Sequence, residues 1–287
     1  MGTLSDAVLR ERARRLRDAV EPICGNVYFA PEAQAGYAEY GLSWWPGYFG
    51  SRGACLGRVP GDVVASAFGV FNPAIVVPAV DEAWAKAGPA ALLSARERGA
   101  VASLTRILGA GPSGAQRATE LLRRGADAAG FEGRSLFAGL RSLGSPGTVL
   151  GDLWRACDLV REHRGDTHIA AWTAAGLSPV EAQLLIELWW RMPVRVYTRT
   201  RGWSEEAIDE GYTSLRHKGI VDASNEFTPA GVSFREAVEW ATDAGERSVL
   251  ETIGDDFDEL LELLTPWAEA VVAAKGYPTD PRTVTRI

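Results

Sequence analysis

The sequence predicts an all-α fold, mainly helical with one short β-hairpin, and three observations carry that prediction. Apolar residues recur at helical spacing along most of the 287 residues. The runs are separated by turn-forming punctuation at Gly88-Pro89, Gly111-Pro112-Ser113, Gly144-Ser145-Pro146-Gly147 and Gly176-Leu177-Ser178-Pro179. Only Ile220 to Phe227 reads as a hairpin, and it leaves room for two very short arms.

The first helix is placed by Ser5 as N-cap and by Val8, Leu9, Leu16 and Val20 on one face. Ser178-Pro179 opens another, carried by Leu184, Leu185 and Leu188. An Arg-containing connection follows, and Ser204 caps a helix whose buried stripe is Ile208, Tyr212 and Leu215. After the hairpin, Thr228-Pro229-Ala230-Gly231 starts a long helix.

Composition excludes several function classes. Net charge is −7, which repels nucleic acid and anionic membranes unless a local basic patch overrides it. Cys24, Cys55 and Cys157 form no C-x-x-C pair, so neither a disulfide framework nor a structural zinc site is expected. The chain shows no signal-peptide pattern and no apolar run approaching the roughly 18 to 20 residues of a membrane span, so a cytoplasmic protein is expected. There is no G-x-S-x-G elbow, no P-loop and no G-x-G-x-x-G after a strand, so no cofactor or metal is expected.

From "LSPVEAQLLIELWW" through "LRHKGIVDASNEFTPAG" to Asp256–Leu264, about 100 residues, the chain resembles the winged helix-turn-helix domain of the MarR type. The whole chain also resembles a family of actinobacterial proteins that pair such a domain with an N-terminal half carrying "YFAPEAQAGYAEYGL" and "GYFGSRGACLG", followed by "REHRGDTHIAAW". The first resemblance implies dimers that hold small molecules between their domains. It also implies a second helix that reads DNA, and the residues disagree. Between Ser204 and Lys218 four acids, Glu205, Glu206, Asp209 and Glu210, face two bases, Arg216 and Lys218. The expected wing carries only Asp222 and Glu226. Affinity for DNA rests on neutralised phosphates, so DNA binding is disfavoured, with Arg195, Arg199 and Arg201 on the connection as the counterweight.

A shift of 149 residues places Glu32-Ala33-Gln34, Tyr48 and Arg52-Gly53 on Glu181-Ala182-Gln183, Tyr197 and Arg201-Gly202. Val64, Phe68, Phe71 and Ile75 then follow with nearly the steps of Ile208, Tyr212, Leu215 and Ile220. The expectation is two tandem degenerate winged-helix units forming a fused pseudo-dimer, an N-terminal domain at 1–150 and a winged-helix domain at 151–287. C-terminal helices such as Asp256 to Leu264 leave a lean towards a homodimer.

Two segments could carry chemistry. Eight of 26 aromatics lie between Tyr28 and Phe49, among them Trp44, Trp45 and Tyr48. They are either ordinary core or the wall of a pocket for a small apolar or aromatic molecule. Arg52 would anchor a carboxylate there, and Asn72 could cap or bind. The second segment, "REHRGDTH" at 161–168, holds two of the three histidines. Gly165 is expected to interrupt the helix, so that Asp166 or Thr167 caps the next one and His168 sits in its first turn, neutralised by the helix dipole. The alternative is a helix joint with solvated charges; metal ligation by His163 and His168 lacks a third ligand. Two functions follow: a cofactor-independent enzyme using His168, His163 and Asp166 for condensation, cyclisation or isomerisation, or a MarR-like ligand-responsive regulator or ligand-binding protein.

Overall fold

A computed structural model describes residues 3–278. Helix α1 (Asp6–Gly25) begins where Ser5, in extended backbone, accepts the N–H of Val8; Leu9, Leu16 and Val20 are buried, whereas Val8 stays 38% exposed. Four helices follow in the aromatic-rich region: α2 (Pro31–Ala38), α3 (Trp44–Gly53), α4 (Gly61–Phe68) and α5 (Pro73–Lys86). Then come α6 (Pro89–Leu108), α7 (Ala115–Ala128), α8 (Ser135–Arg141) and the 26-residue α9 (Val149–Ala174). The Ser178-Pro179 start yields α10 (Pro179–Trp189), closed by a reciprocal capping box between Ser178 and Glu181. After α10 lie the one-turn α11 (Val196–Arg199), α12 (Glu205–His217), α13 (Pro229–Gly245), α14 (Arg247–Ile253) and α15 (Phe257–Ala273).

Helix α9 is the spine: it packs against α1, α6, α7, α8 and α13. Buried apolar side chains gather in two clusters. The larger draws on residues 9–160 and again on 249–271; the smaller lies within 172–238 and holds Leu184, Ile208, Tyr212, Leu215 and Ile220. The division expected at residue 150 falls in the first turn of α9, which feeds both clusters. Helix α15 packs against α1, α6 and α7, so the apolar face of Asp256–Leu264 is used within the chain. Among the described residues no single helix is long and apolar enough to cross a membrane.

Three expectations are corrected. The hairpin wing does not form: among the described residues there is no strand, only an isolated antiparallel bridge between Val221 and Phe227. Asp222 closes the turn by accepting the N–H groups of Ser224 (2.8 Å) and Glu226 (3.0 Å), and Thr228-Pro229 begins α13 at once. Pro229 has no N–H to extend a ladder, so the arms stop after one pair. The tandem winged-helix arrangement is not reproduced either. In the C-terminal lobe α10 packs on α12, whereas α2, at the matching position, packs on α6, and α4 on α5. Matched apolar steps permit a buried stripe without fixing what buries it. Finally, α9 runs unbroken through Gly165, because a glycine costs a helix only about 1 kcal/mol and packing along both halves of α9 outweighs it.

Candidate functional site

A cleft of about 660 Å³ lies where the two clusters meet. Arg17 and Glu21 of α1, Tyr28, and Trp44 and Tyr48 of α3 form one side. Arg161, Arg164 and His168 of α9, with Arg235, Glu239 and Thr242 of α13, form the floor. Ile186, Trp190, Tyr197 and Arg201 close it from the helix-turn-helix lobe. The aromatic segment and "REHRGDTH" therefore border one space. Eight aromatic residues line it: Tyr28, Phe29, Trp44, Tyr48, Phe71, Trp190, Tyr197 and Tyr277. Trp44 stacks on Tyr48 at 5.0 Å between ring centroids, and Tyr28 meets Tyr48 edge-on at 5.2 Å, which holds that wall rigid.

The sequence candidates separate on inspection. Tyr28, Trp44, Tyr48 and His168 line the cleft. Trp45 stacks on Phe49 (5.1 Å) within the aromatic cluster behind the wall. Asn72 caps α5 by accepting the N–H of Ala74, and its side-chain amide donates to the Gly202 carbonyl (2.9 Å), pinning the helix-turn-helix turn to the N-terminal helices. Arg52 is buried and donates twice to Glu162 (2.8 Å each), so its carboxylate is supplied by the protein itself. Burial works against the Glu162 carboxylate, but the guanidiniums of Arg161 and Arg52 outweigh it and hold its pKa down at about 2.

The three α9 candidates for acid/base work do not converge. His163 is buried, its Nδ1 2.7 Å from Glu246 and its ring edge-on to Phe137. Asp166 caps no break in α9; its carboxylate accepts the N–H of Phe137 (3.0 Å) in the first turn of α8. Burial, first, raises the Asp166 pKa to about 6. His168 alone reaches the cleft. Burial, not a helix dipole, pushes its pKa down to about 4, with Glu239 working the other way. Its Nδ1 is 3.0 Å from Thr242 Oγ1, whose own hydroxyl donates to the Val238 carbonyl (2.9 Å). Thr242 can then only accept, which puts the proton on Nδ1 and leaves Nε2 an acceptor.

The sequence reading missed the arginines. Among the cleft-lining residues five arginines face three carboxylates, in a chain whose net charge is −7. Arg161 pairs with Glu162 and Glu21, Arg164 with Asp243, and Arg235 with Glu239. Arg201 lies 8% exposed, over the rings of Tyr197 (4.2 Å) and Phe71 (4.9 Å), and donates to Tyr197 OH (2.7 Å) and Thr200 Oγ1 (2.9 Å). Among the described residues no carboxylate pairs with it. The signal was present: the 149-residue shift sets Arg201 on Arg52, and both donate to a tyrosine hydroxyl four residues earlier. Among the described residues no cluster of His, Cys, Asp and Glu could hold a metal ion.

Away from the cleft lining, the bases near α12 are already engaged. Arg195 pairs with Glu205 (2.8 Å) and Asp209 (2.5 Å), and Arg199 with Glu205. Lys218 is held by Glu181 (2.7 Å) and Arg216 by Asn225 (2.5 Å). Glu206 and Glu210 remain exposed.

A one-turn helix and a short turn leading into a longer helix, packed on a third, define a helix-turn-helix lobe set against a larger helical body. The match of a helix-turn-helix family model to residues 13–278 agrees, and the chain belongs to that family. No curated protein and no solved structure matches it.

Proposed function

We propose that this chain is a ligand-binding protein of the helix-turn-helix family, whose cleft takes a planar, largely apolar molecule. The observation that carries the proposal is the cleft itself. Its volume of about 660 Å³ is in the range of small-molecule sites, and rigid aromatic rings make up much of its wall. A ligand there would touch α1, α3, α9, α13 and the turn before α12 together, which couples occupancy to the position of the lobe. A ligand-responsive transcriptional regulator is in keeping with the helix-turn-helix family, but the pairing of Arg195, Arg199 and Lys218 with carboxylates argues against DNA as the output. An acid/base enzyme keeps His168 in its favour; with His163 and Asp166 off the cleft, binding is the better supported reading.

The test is calorimetric titration with 2-naphthamide, a neutral planar probe. Binding is expected, with affinity falling about tenfold or more in Trp44→Ala, the loss of roughly 1.4 kcal/mol of ring contact. Phe131→Ala, which removes an exposed ring outside the cleft, should leave it unchanged. Equal loss in both variants would refute the site.

A further inference from the structure

We infer that Arg201 is the anchor for a carboxylate on the ligand of this cleft; the inference rests on the binding reading above and gives its ligand a charge. Four observations converge. Arg201 is a cation more than nine-tenths buried that has no acidic partner among the described residues, and an uncompensated buried charge is kept only at a cost to stability. Its position is fixed without a ligand: the Tyr197 and Phe71 rings hold the guanidinium, and its carbonyl accepts the N–H of Asn72 (2.8 Å). Only two of its five N–H donors are used, which leaves three for an acceptor.

The fourth observation is its internal twin. Arg52, like Arg201, donates to the hydroxyl of a tyrosine four residues earlier (3.4 Å against 2.7 Å) and lies over an aromatic ring, and there Glu162 fills the guanidinium fork with two 2.8 Å hydrogen bonds. At Arg201 the protein supplies the arginine and the aromatic faces and leaves out the carboxylate. The other four arginines of the cleft are each paired with a carboxylate, which leaves Arg201 as the cleft arginine without one among the described residues. Arg201 lies beside Phe71 and the aromatic wall, so the ligand would carry its planar apolar part next to its charge. The carboxylate-anchoring role expected of Arg52 thus belongs to Arg201.

The experiment pairs two probes of the same shape, 2-naphthoate and 2-naphthamide, in calorimetric titrations of the full chain. The unmodified protein should bind the carboxylate at least about tenfold more tightly than the amide, as a charge-assisted fork contact gives. Arg201→Gln should abolish that preference, bringing the two probes to equal affinity, and Arg201→Lys should keep part of it. Equal affinities for the two probes in the unmodified protein would overturn the anion site and leave the cleft standing. A preference that survives Arg201→Gln would also overturn it, by moving the charge to another arginine. Binding of neither probe would bring down the cleft reading and the inference with it.

Discussion

Four buried polar side chains of α9 find their partners on four different segments of the chain. Asp158 accepts from Arg96 of α6 (2.7 Å), Glu162 from Arg52 of α3, and Asp166 from the backbone of α8, while His163 meets Glu246 beyond α13. Two of the α9 groups have opposed titrations. Asp166 is raised from 3.8 to about 6, so its contribution to stability is full below 3.8 and is lost as pH rises through 6. His168 is lowered from 6.5 to about 4, so its contribution is full above 6.5 and is lost as pH falls through 4. Between pH 4 and 6 the two nearly offset. Urea midpoints measured across that window should therefore rise on acidification in His168→Gln, where Asp166 acts alone, relative to the unmodified protein. In Asp166→Asn they should fall, with His168 unopposed. Parallel curves for the two variants would show that these shifts do not exist.

At the scale of elements, the turn between α11 and α12 decides where Arg201 sits. Gly202 has φ +81°, a left-handed conformation, and a Cβ there would lie 2.7 Å from Ile75 of α5. Trp203 adds a second tie by donating its indole N–H to the Val70 carbonyl (3.0 Å). Gly202→Ala should cost about 1 to 2 kcal/mol of stability from the backbone conformation alone. It should also weaken binding of 2-naphthoate, because the turn that carries Arg201 must move away from α5. A Gly202→Ala protein with unchanged midpoint and unchanged affinity would mean that the turn is free to relax and does not position the arginine.

Taken whole, the molecule has turned the outer surface of its helix-turn-helix inward on itself electrostatically. Glu205 and Asp209 engage the arginines that would otherwise meet phosphate, and Glu206 and Glu210 add exposed negative charge. In a mobility-shift assay at about 50 mM salt, random duplex DNA should show none of the micromolar, salt-sensitive binding typical of DNA-binding proteins. The double variant Glu205→Gln/Asp209→Asn frees Arg195 and Arg199 and should gain such binding. Clear binding by the unmodified protein would refute the masking argument.

The helices and their caps were legible in the sequence, because Ser5, Ser178, Ser204 and Thr228 act on backbone within three residues of themselves. So were the aromatic wall and its neighbour at 161–168, since composition alone marks them. The acidic face of α12 was also written there, as a count of charges over a known helical period. What only the tertiary structure decided was which charges are left over. Arg52 and Arg201 carry the same local pattern, Y-x-x-x-R-G, yet Arg52 meets a glutamate 110 residues away on α9 and Arg201 meets no carboxylate among the described residues. That contact exists because the tertiary fold brings Arg52 of α3 within side-chain reach of α9, and no spacing along the chain encodes it. The continuity of α9 through Gly165 was hidden for the same reason: local propensity favours a break by about 1 kcal/mol, and burial against five other helices, invisible in sequence, outweighs it.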